Sequence, residues 1–146
     1  MYYFASDVHL GAGDELSSRR TEQCFVRWLD TISADAEAIF LVGDIFDFWF
    51  EYNKVIPKGF VRTFGKLAEL TDRGIPVVFI TGNHDMWSRD YLQRECGVEV
   101  VHTSRNITLG NRTIHIAHGD NLNIGDKPLL RLMNSTFRSL IMRKLF

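Results

Sequence analysis

The apolar residues of this 146-residue chain gather into short continuous runs that alternate with stretches of helical period. Residues 2–6 (Tyr-Tyr-Phe-Ala-Ser) read as a short buried strand. Cys24, Phe25, Trp28, Leu29 and Ile32 then recur at helical spacing, which puts Cys24 on the apolar stripe, buried and inert. Residues 38–42 (Ala-Ile-Phe-Leu-Val) form an unbroken apolar run, the pattern of a strand covered on both faces. Phe60, Val61, Phe64, Leu67 and Ala68 mark a second helix, and Asp72-Arg73-Gly74 ends it before Pro76. Residues 76–81 predict a third strand and residues 88–95 a short helix. Further strands are expected at 98–101, 106–109 and 112–117, the last two joined as a hairpin by Gly110-Asn111. Helical period returns over 127–146, where Leu129, Leu130, Met133, Phe137, Leu140 and Ile141 lie opposite Arg131, Ser135 and Arg138.

This βαβαβ order predicts an α/β fold whose first three strands are parallel neighbours connected by right-handed crossovers. A single domain over 1–146 is expected, without linker or low-complexity segment.

Composition narrows the function classes. With 17 Lys and Arg against 18 Asp and Glu, the formal charge of -1 argues against a protein that coats nucleic acid by bulk charge. Cys24 and Cys96 have neither a zinc spacing nor a disulfide framework, so reduced thiols in a cytosolic protein are expected. No apolar run approaches the roughly 20 residues of a membrane span. The opening Met1-Tyr2-Tyr3-Phe4 has no charged n-region, so no signal peptide is expected.

Each core strand runs into polar, metal-competent residues at its carboxyl end, where α/β sheets bind ligands. The stretches are Asp7-Val8-His9, then Gly43-Asp44 with Asp47 following, then Gly82-Asn83-His84-Asp85, and His118-Gly119-Asp120 after the hairpin. Asp7, Asp44, Asp47, Asp85 and Asp120 would crowd negative charge into one crevice. Each close pair costs on the order of a few kcal/mol at an effective dielectric near 20 unless a cation neutralises it. Carboxylate, imidazole and amide oxygen together suit Mn²⁺, Fe²⁺ or Zn²⁺, and Asp44 is the candidate to bridge two such ions. Phe46, Phe48, Trp49, Phe50 and Tyr52 read as core or lid packing, with an apolar acyl pocket as the functional alternative. Arg19 and Arg20 are candidates to reach a substrate phosphate, or else a solvated helix start.

The four motifs, in this order, resemble the calcineurin-like metallophosphoesterase superfamily over essentially the whole chain. Asp7-Val-His-Leu-Gly, Gly43-Asp-Ile-Phe-Asp-Phe-Trp-Phe, Gly82-Asn-His-Asp-Met-Trp and His118-Gly-Asp-Asn-Leu are most similar to its UDP-2,3-diacylglucosamine hydrolase branch. The resemblance implies a layered α/β/β/α sandwich and a binuclear centre of two divalent ions, Mn²⁺ first, with Fe²⁺ or Zn²⁺ as alternatives. It implies Asp7 and His9 on the first metal, Asp44 bridging, and Asn83 and His118 on the second. His84, oriented by Asp85, would contact the phosphate, and Asp126 would contact the glucosamine.

The implied reaction is hydrolysis of a nucleotide pyrophosphate in lipid A synthesis, giving UMP and a lipid sugar phosphate. The implied partners are a lipid-linked sugar nucleotide and a membrane surface, not nucleic acid, with the protein cytoplasmic and peripheral on the inner membrane. The terminal amphipathic stretch reads either as a core-covering helix or as the element that rests on an anionic surface. The rivals are a generic phosphodiesterase or nucleotide phosphatase acting on a soluble substrate, and a non-catalytic remnant domain.

The superfamily's Gly-His-x-His motif is absent, because no histidine follows His118. The chain is therefore expected to be the amino-terminal portion of such an enzyme, ending in a cap-helix region at 127–146, with a compact variant using other ligands as the alternative. The isolated 146 residues are expected to bind metal weakly and turn over poorly.

Overall fold

A computed structural model describes residues 1–52 and 54–120. The expected elements 127–146 and the candidate Asp126 lie outside the described residues. The order is β1 (Tyr2–Ala5), α1 (Glu15–Ile32), β2 (Ala38–Val42), α2 (Val61–Asp72), β3 (Val77–Ile80), α3 (Tyr91–Cys96), β4 (Glu99–Val101), β5 (Arg105–Leu109) and β6 (Arg112–Ile116). Strands β1 to β4 form one parallel sheet in sequence order, with Phe4 opposite Phe40 and Phe40 opposite Val78.

Sequential order with right-handed crossovers sends every connecting helix to the same face of the sheet. Strand alternation sorts the core accordingly. Ile39 and Leu41 of β2 and Val77 and Phe79 of β3 face α1, α2 and α3, packing on Phe25, Leu29, Ile32, Leu67, Leu70 and Leu92. Ala38, Phe40, Val78 and Ile80 point the other way, where Ile107 and Ile116 of the antiparallel β5–β6 hairpin cover them. The described residues thus build three layers: helices, parallel sheet, hairpin. Phe4 stacks on Phe40 with centroids 5.0 Å apart while remaining 45% exposed at the sheet edge.

The helix ends follow local chemistry. Asp14 caps α1 by accepting from the Ser17 N–H at 2.7 Å. Gly74, at φ +82°, stops α2 with the Gly74 N–H on the Thr71 carbonyl and the Ile75 N–H on that of Leu70.

One position on α1 reverses the expectation. Cys24 is exposed, and the inward residue is Glu22, 6% exposed. The reason lies in α2, whose N-cap Phe60 is left-handed and offers no side-chain acceptor. Glu22 supplies one, its Oε1 accepting from the N–H groups of Arg62 (3.1 Å) and Thr63 (3.3 Å), with the Arg62 guanidinium 3.7 Å from Oε2. The buried thiol is Cys96, whose pKa burial pushes up to about 11.

The aromatic run after Asp44 divides between core and surface. Phe46 and Trp49 are buried, 4.5 Å apart between ring centroids, whereas Phe48 and Tyr52 are exposed. The Trp49 indole N–H donates to Glu51 Oε1 at 2.9 Å, so even the most buried aromatic keeps its polar atom paired.

Candidate metal centre

The β1–β2 pairing does not stop at the strand ends. The Asp7 N–H donates to the Gly43 carbonyl (3.1 Å), His9 to Asp44 (3.0 Å) and Leu10 to Ile45 (2.8 Å), while Asp47 donates back to Leu10 (3.0 Å). This ladder welds the turn carrying Asp7 and His9 to the turn carrying Asp44 and Asp47. The second turn is joined to the Gly82–Asp85 loop by Asp44 Oδ1, which accepts from the His84 N–H at 3.0 Å. The His84 carbonyl accepts from the Trp49 N–H at 3.1 Å.

Two ligand groups result, and they share one residue. Donor atoms of His9, Asp44 and His84 lie within 4.8 Å of one another, as do those of Asp7, Asp44 and His118. Asp44 is 4% exposed and stands in both groups. The resemblance paired Asp7 with His9, whereas these groupings put Asp7 with His118 and bring His84 beside His9, the two rings meeting edge-on at 4.9 Å. Asn83 is exposed. Asp120 belongs to neither group, and His115 is occupied on the hairpin, its Nδ1 at 2.7 Å from Asn106 Oδ1.

The imidazoles present one nitrogen each to the centre. Nδ1 of His118 lies 3.1 Å from the Val42 carbonyl, and Nδ1 of His84 lies 2.6 Å from that of Asp47. Carbonyls only accept, so both Nδ1 atoms carry the proton and donate it, leaving Nε2 for the centre. His9 follows the same pattern, its Nδ1 3.2 Å from Asp47 Oδ1. Asp47 therefore holds two rings at once, the outer-sphere role that fixes tautomer and aim in metal sites. The sequence placed Asp47 near the site but gave no sign of this duty.

Asp85, expected to orient His84, makes its hydrogen bonds to the backbone of neighbouring loops. Its carboxylate is fully buried and accepts from the N–H groups of Gly82 (2.6 Å), Ile45 (2.9 Å) and Phe46 (3.4 Å), while the His84 ring is held by the Asp47 carbonyl. Asp85 fastens two ligand-bearing loops together. Burial pushes its pKa up, against the lowering effect of those three donors. The bond to the Asp47 carbonyl raises the pKa of His84 above the ordinary imidazole value; burial opposes this, and Asp44, Asp47 and Asp85 reinforce it.

The residues fit divalent cations. Two carboxylates and three imidazoles converge without a thiolate, a donor set for borderline metals. Glycines leave room for the ligand side chains. A Cβ on Gly82 would lie 2.2 Å from Asp44 Oδ1, and one on Gly43 would lie 2.3 Å from His118 Nδ1. Asp7, His9 and Asp44 all sit at positive φ, between 49° and 54°. Asp and His tolerate that region better than most residues, though at a cost of order 1–3 kcal/mol each.

Of the predicted substrate contacts, Arg19 lines a cleft beside the His9 turn, and Arg20 is exposed on α1 outside that lining. Among the described residues no helix is long and apolar enough to cross a membrane.

The chain is 40% identical over 144 residues to a Porphyromonas gingivalis protein named UDP-2,3-diacylglucosamine hydrolase, a match covering 99% of this chain and 55% of the relative. A Vibrio parahaemolyticus protein of the same name is 34% identical over 124 residues, covering 84% of this chain and 49% of its own. The chain spans about half the length of the curated relatives it matches. A solved structure from Aquifex aeolicus, AQ665, a protein of unknown function, superposes with a TM-score of 0.53 at 14% identity, covering 94% of this chain and 72% of that one, a likeness of fold alone. The calcineurin-like phosphoesterase family model matches residues 2–140. Shared Asp44, welded turns and family match coincide, and the chain belongs to the calcineurin-like phosphoesterases.

Proposed function

We propose that this chain forms the metal-binding part of a hydrolase that cleaves the pyrophosphate of UDP-2,3-diacylglucosamine, giving UMP and a lipid sugar phosphate. The relatives' names support the substrate. The observation that carries the chemistry is Asp44, buried and common to both ligand groups. Asp7, His9, Asp44, Asn83 and His118 would hold two divalent ions, with Mn²⁺ the first choice for an all-oxygen and imidazole set. Such ions would supply Lewis-acid stabilisation at phosphorus and lower the pKa of the attacking water.

The chain's own residues do the remaining work. Asp44 fixes the spacing of the two halves, and Asp47 fixes the rings of His9 and His84. His84, its Nδ1–H held by the Asp47 carbonyl, would contact the phosphate and either stabilise the developing charge or protonate the leaving group. A lipid-linked substrate would bring the protein to a membrane surface, on the cytoplasmic side in this reading.

Asp44→Ala is expected to abolish Mn²⁺-dependent hydrolysis of both UDP-2,3-diacylglucosamine and bis(p-nitrophenyl) phosphate while leaving far-UV circular dichroism unchanged. Retained turnover would end the bridging role. Turnover of the second compound without the first would point to a soluble phosphodiester substrate, and turnover of neither by the unmodified protein to a non-catalytic domain.

A further inference from the structure

His84 is gripped from two sides by the segment that follows Asp44. Its ring Nδ1 donates to the Asp47 carbonyl at 2.6 Å, and its own carbonyl accepts from the Trp49 N–H at 3.1 Å. The pairing continues beyond it. Phe50 and Trp87 form a parallel bridge with ring centroids 5.3 Å apart, and the Glu51 N–H reaches the Trp87 carbonyl at 3.4 Å. Residues 47–51 therefore run alongside 84–87, and the position of that segment decides where the His84 ring points.

A buried acid pins the segment down. Glu51 is 6% exposed. Its Oε1 accepts from the Trp49 indole N–H at 2.9 Å, and its Oε2 accepts from the Tyr91 N–H at 3.2 Å. Tyr91 opens α3, whose N-cap Asp90 makes no side-chain cap bond, so Glu51 supplies an acceptor to that helix start. Trp49 itself is fully buried, its ring packed against Phe46, Phe64 and Tyr91. One carboxylate thus ties the indole to the first turn of α3 through two charge-assisted bonds. Glu51 holds Trp49 by its side chain, and Trp49 holds His84 by its backbone.

The other ligand-bearing turns are fastened differently. Asp7 and His9 hang on the ladder to Gly43 and Asp44, and the His118 ring is held by the Val42 carbonyl. None of these bonds passes through Glu51, so its influence is confined to the His84 side of the centre.

We propose that Glu51 is a positioning residue for His84, acting through Trp49 without touching metal or substrate. The consequence for turnover rests on the reading above that His84 meets the phosphate.

The test is long-range ¹H–¹⁵N NMR of the imidazoles in the metal-free, full-length protein, at a pH where histidine is neutral. The shifts of the two ring nitrogens report which one carries the proton. In the natural protein both His84 and His118 are expected as the Nδ1–H tautomer, each bonded to its carbonyl. In Glu51→Ala, His84 is expected to become a mixture of tautomers while His118 keeps its Nδ1–H. Trp49→Phe preserves most of the ring packing and removes the indole donor, so it is expected to do the same should Glu51→Ala fail to fold. With Mn²⁺ restored, kcat for bis(p-nitrophenyl) phosphate is expected to fall about 10- to 100-fold, as for a group displaced from the reacting atoms, with KM changed less than about three-fold. A His84 that keeps its tautomer in both variants, or a His118 that loses its own alongside, would overturn the positioning role. A selective change at His84 with unaltered kcat would retain that role and remove His84 from the phosphate chemistry.

Discussion

At the scale of single residues, the site is held by groups that touch no substrate. Asp85 is the clearest case. One buried carboxylate satisfies backbone donors from both the Ile45–Phe46 and Gly82 positions, so the distance between two ligand loops depends on its three contacts. Asp85→Asn replaces an acceptor oxygen by an NH₂ that faces an N–H, leaving a buried donor unpaired at a cost of about 1–3 kcal/mol. Mn²⁺ affinity is expected to fall roughly 10- to 100-fold, as for lost outer-sphere partners elsewhere, with activity restored at saturating metal. Isothermal titration with Mn²⁺ checks this, and an affinity equal to that of the natural chain would remove Asp85 from the metal site's support. The four motifs were readable as metal chemistry because each mixes Asp, Asn or His with Gly just past an apolar run. The division of labour among their members was not readable. Asp47 and Asp85 differ in role because of hydrogen bonds to residues 37 to 40 positions away, and no local pattern encodes those.

At the scale of elements, most strands and helices were legible because apolar runs and helical stripes differ in period, and turn residues separate them. The β2 strand and the β5–β6 hairpin follow directly from such signals. Helix α1 departs from its apolar stripe. Cys24 fits an apolar stripe by type, but the inward position belongs to Glu22, because the uncapped start of α2 requires an acceptor there. A need arising on one helix was met by a residue on another. Glu22→Ala is expected to lower stability by about 1–3 kcal/mol, since it strands two α2 N–H groups in a largely buried position. Urea unfolding measures the change, and a shift below a few tenths of a kcal/mol would mean that solvent satisfies those groups equally well. Glu22→Gln keeps the acceptor and is expected to recover much of the loss.

At the scale of the whole molecule, the sheet order puts helices on one face and the hairpin on the other, so the carboxyl ends of β1, β2 and β3 open at a common rim. Parallel order was foreseeable from the βαβαβ pattern. The extension of the β1–β2 ladder into the ligand turns was not, because Asp7, His9, Gly43 and Asp44 interrupt the apolar pattern there. Metal binding should therefore stabilise the domain as a unit. An ion bound only by the folded state adds about 2.7 kcal/mol when present at 100 times its dissociation constant. The thermal midpoint is expected to rise with Mn²⁺ concentration and return on chelation, and the rise should vanish in Asp44→Ala. An equal rise in that variant would place the binding elsewhere.

The left-handed backbone at Asp7, His9 and Asp44 also bounds how the scaffold can be retuned. Exchanging ligands to favour a different ion must draw on short or planar side chains that accept this torsion, which leaves Asn, Asp, His and little else. Branched and bulky replacements are excluded by the chain's path before any question of coordination arises. An engineer altering ion preference here would gain more by varying the surrounding acceptors than by exchanging the coordinating groups themselves.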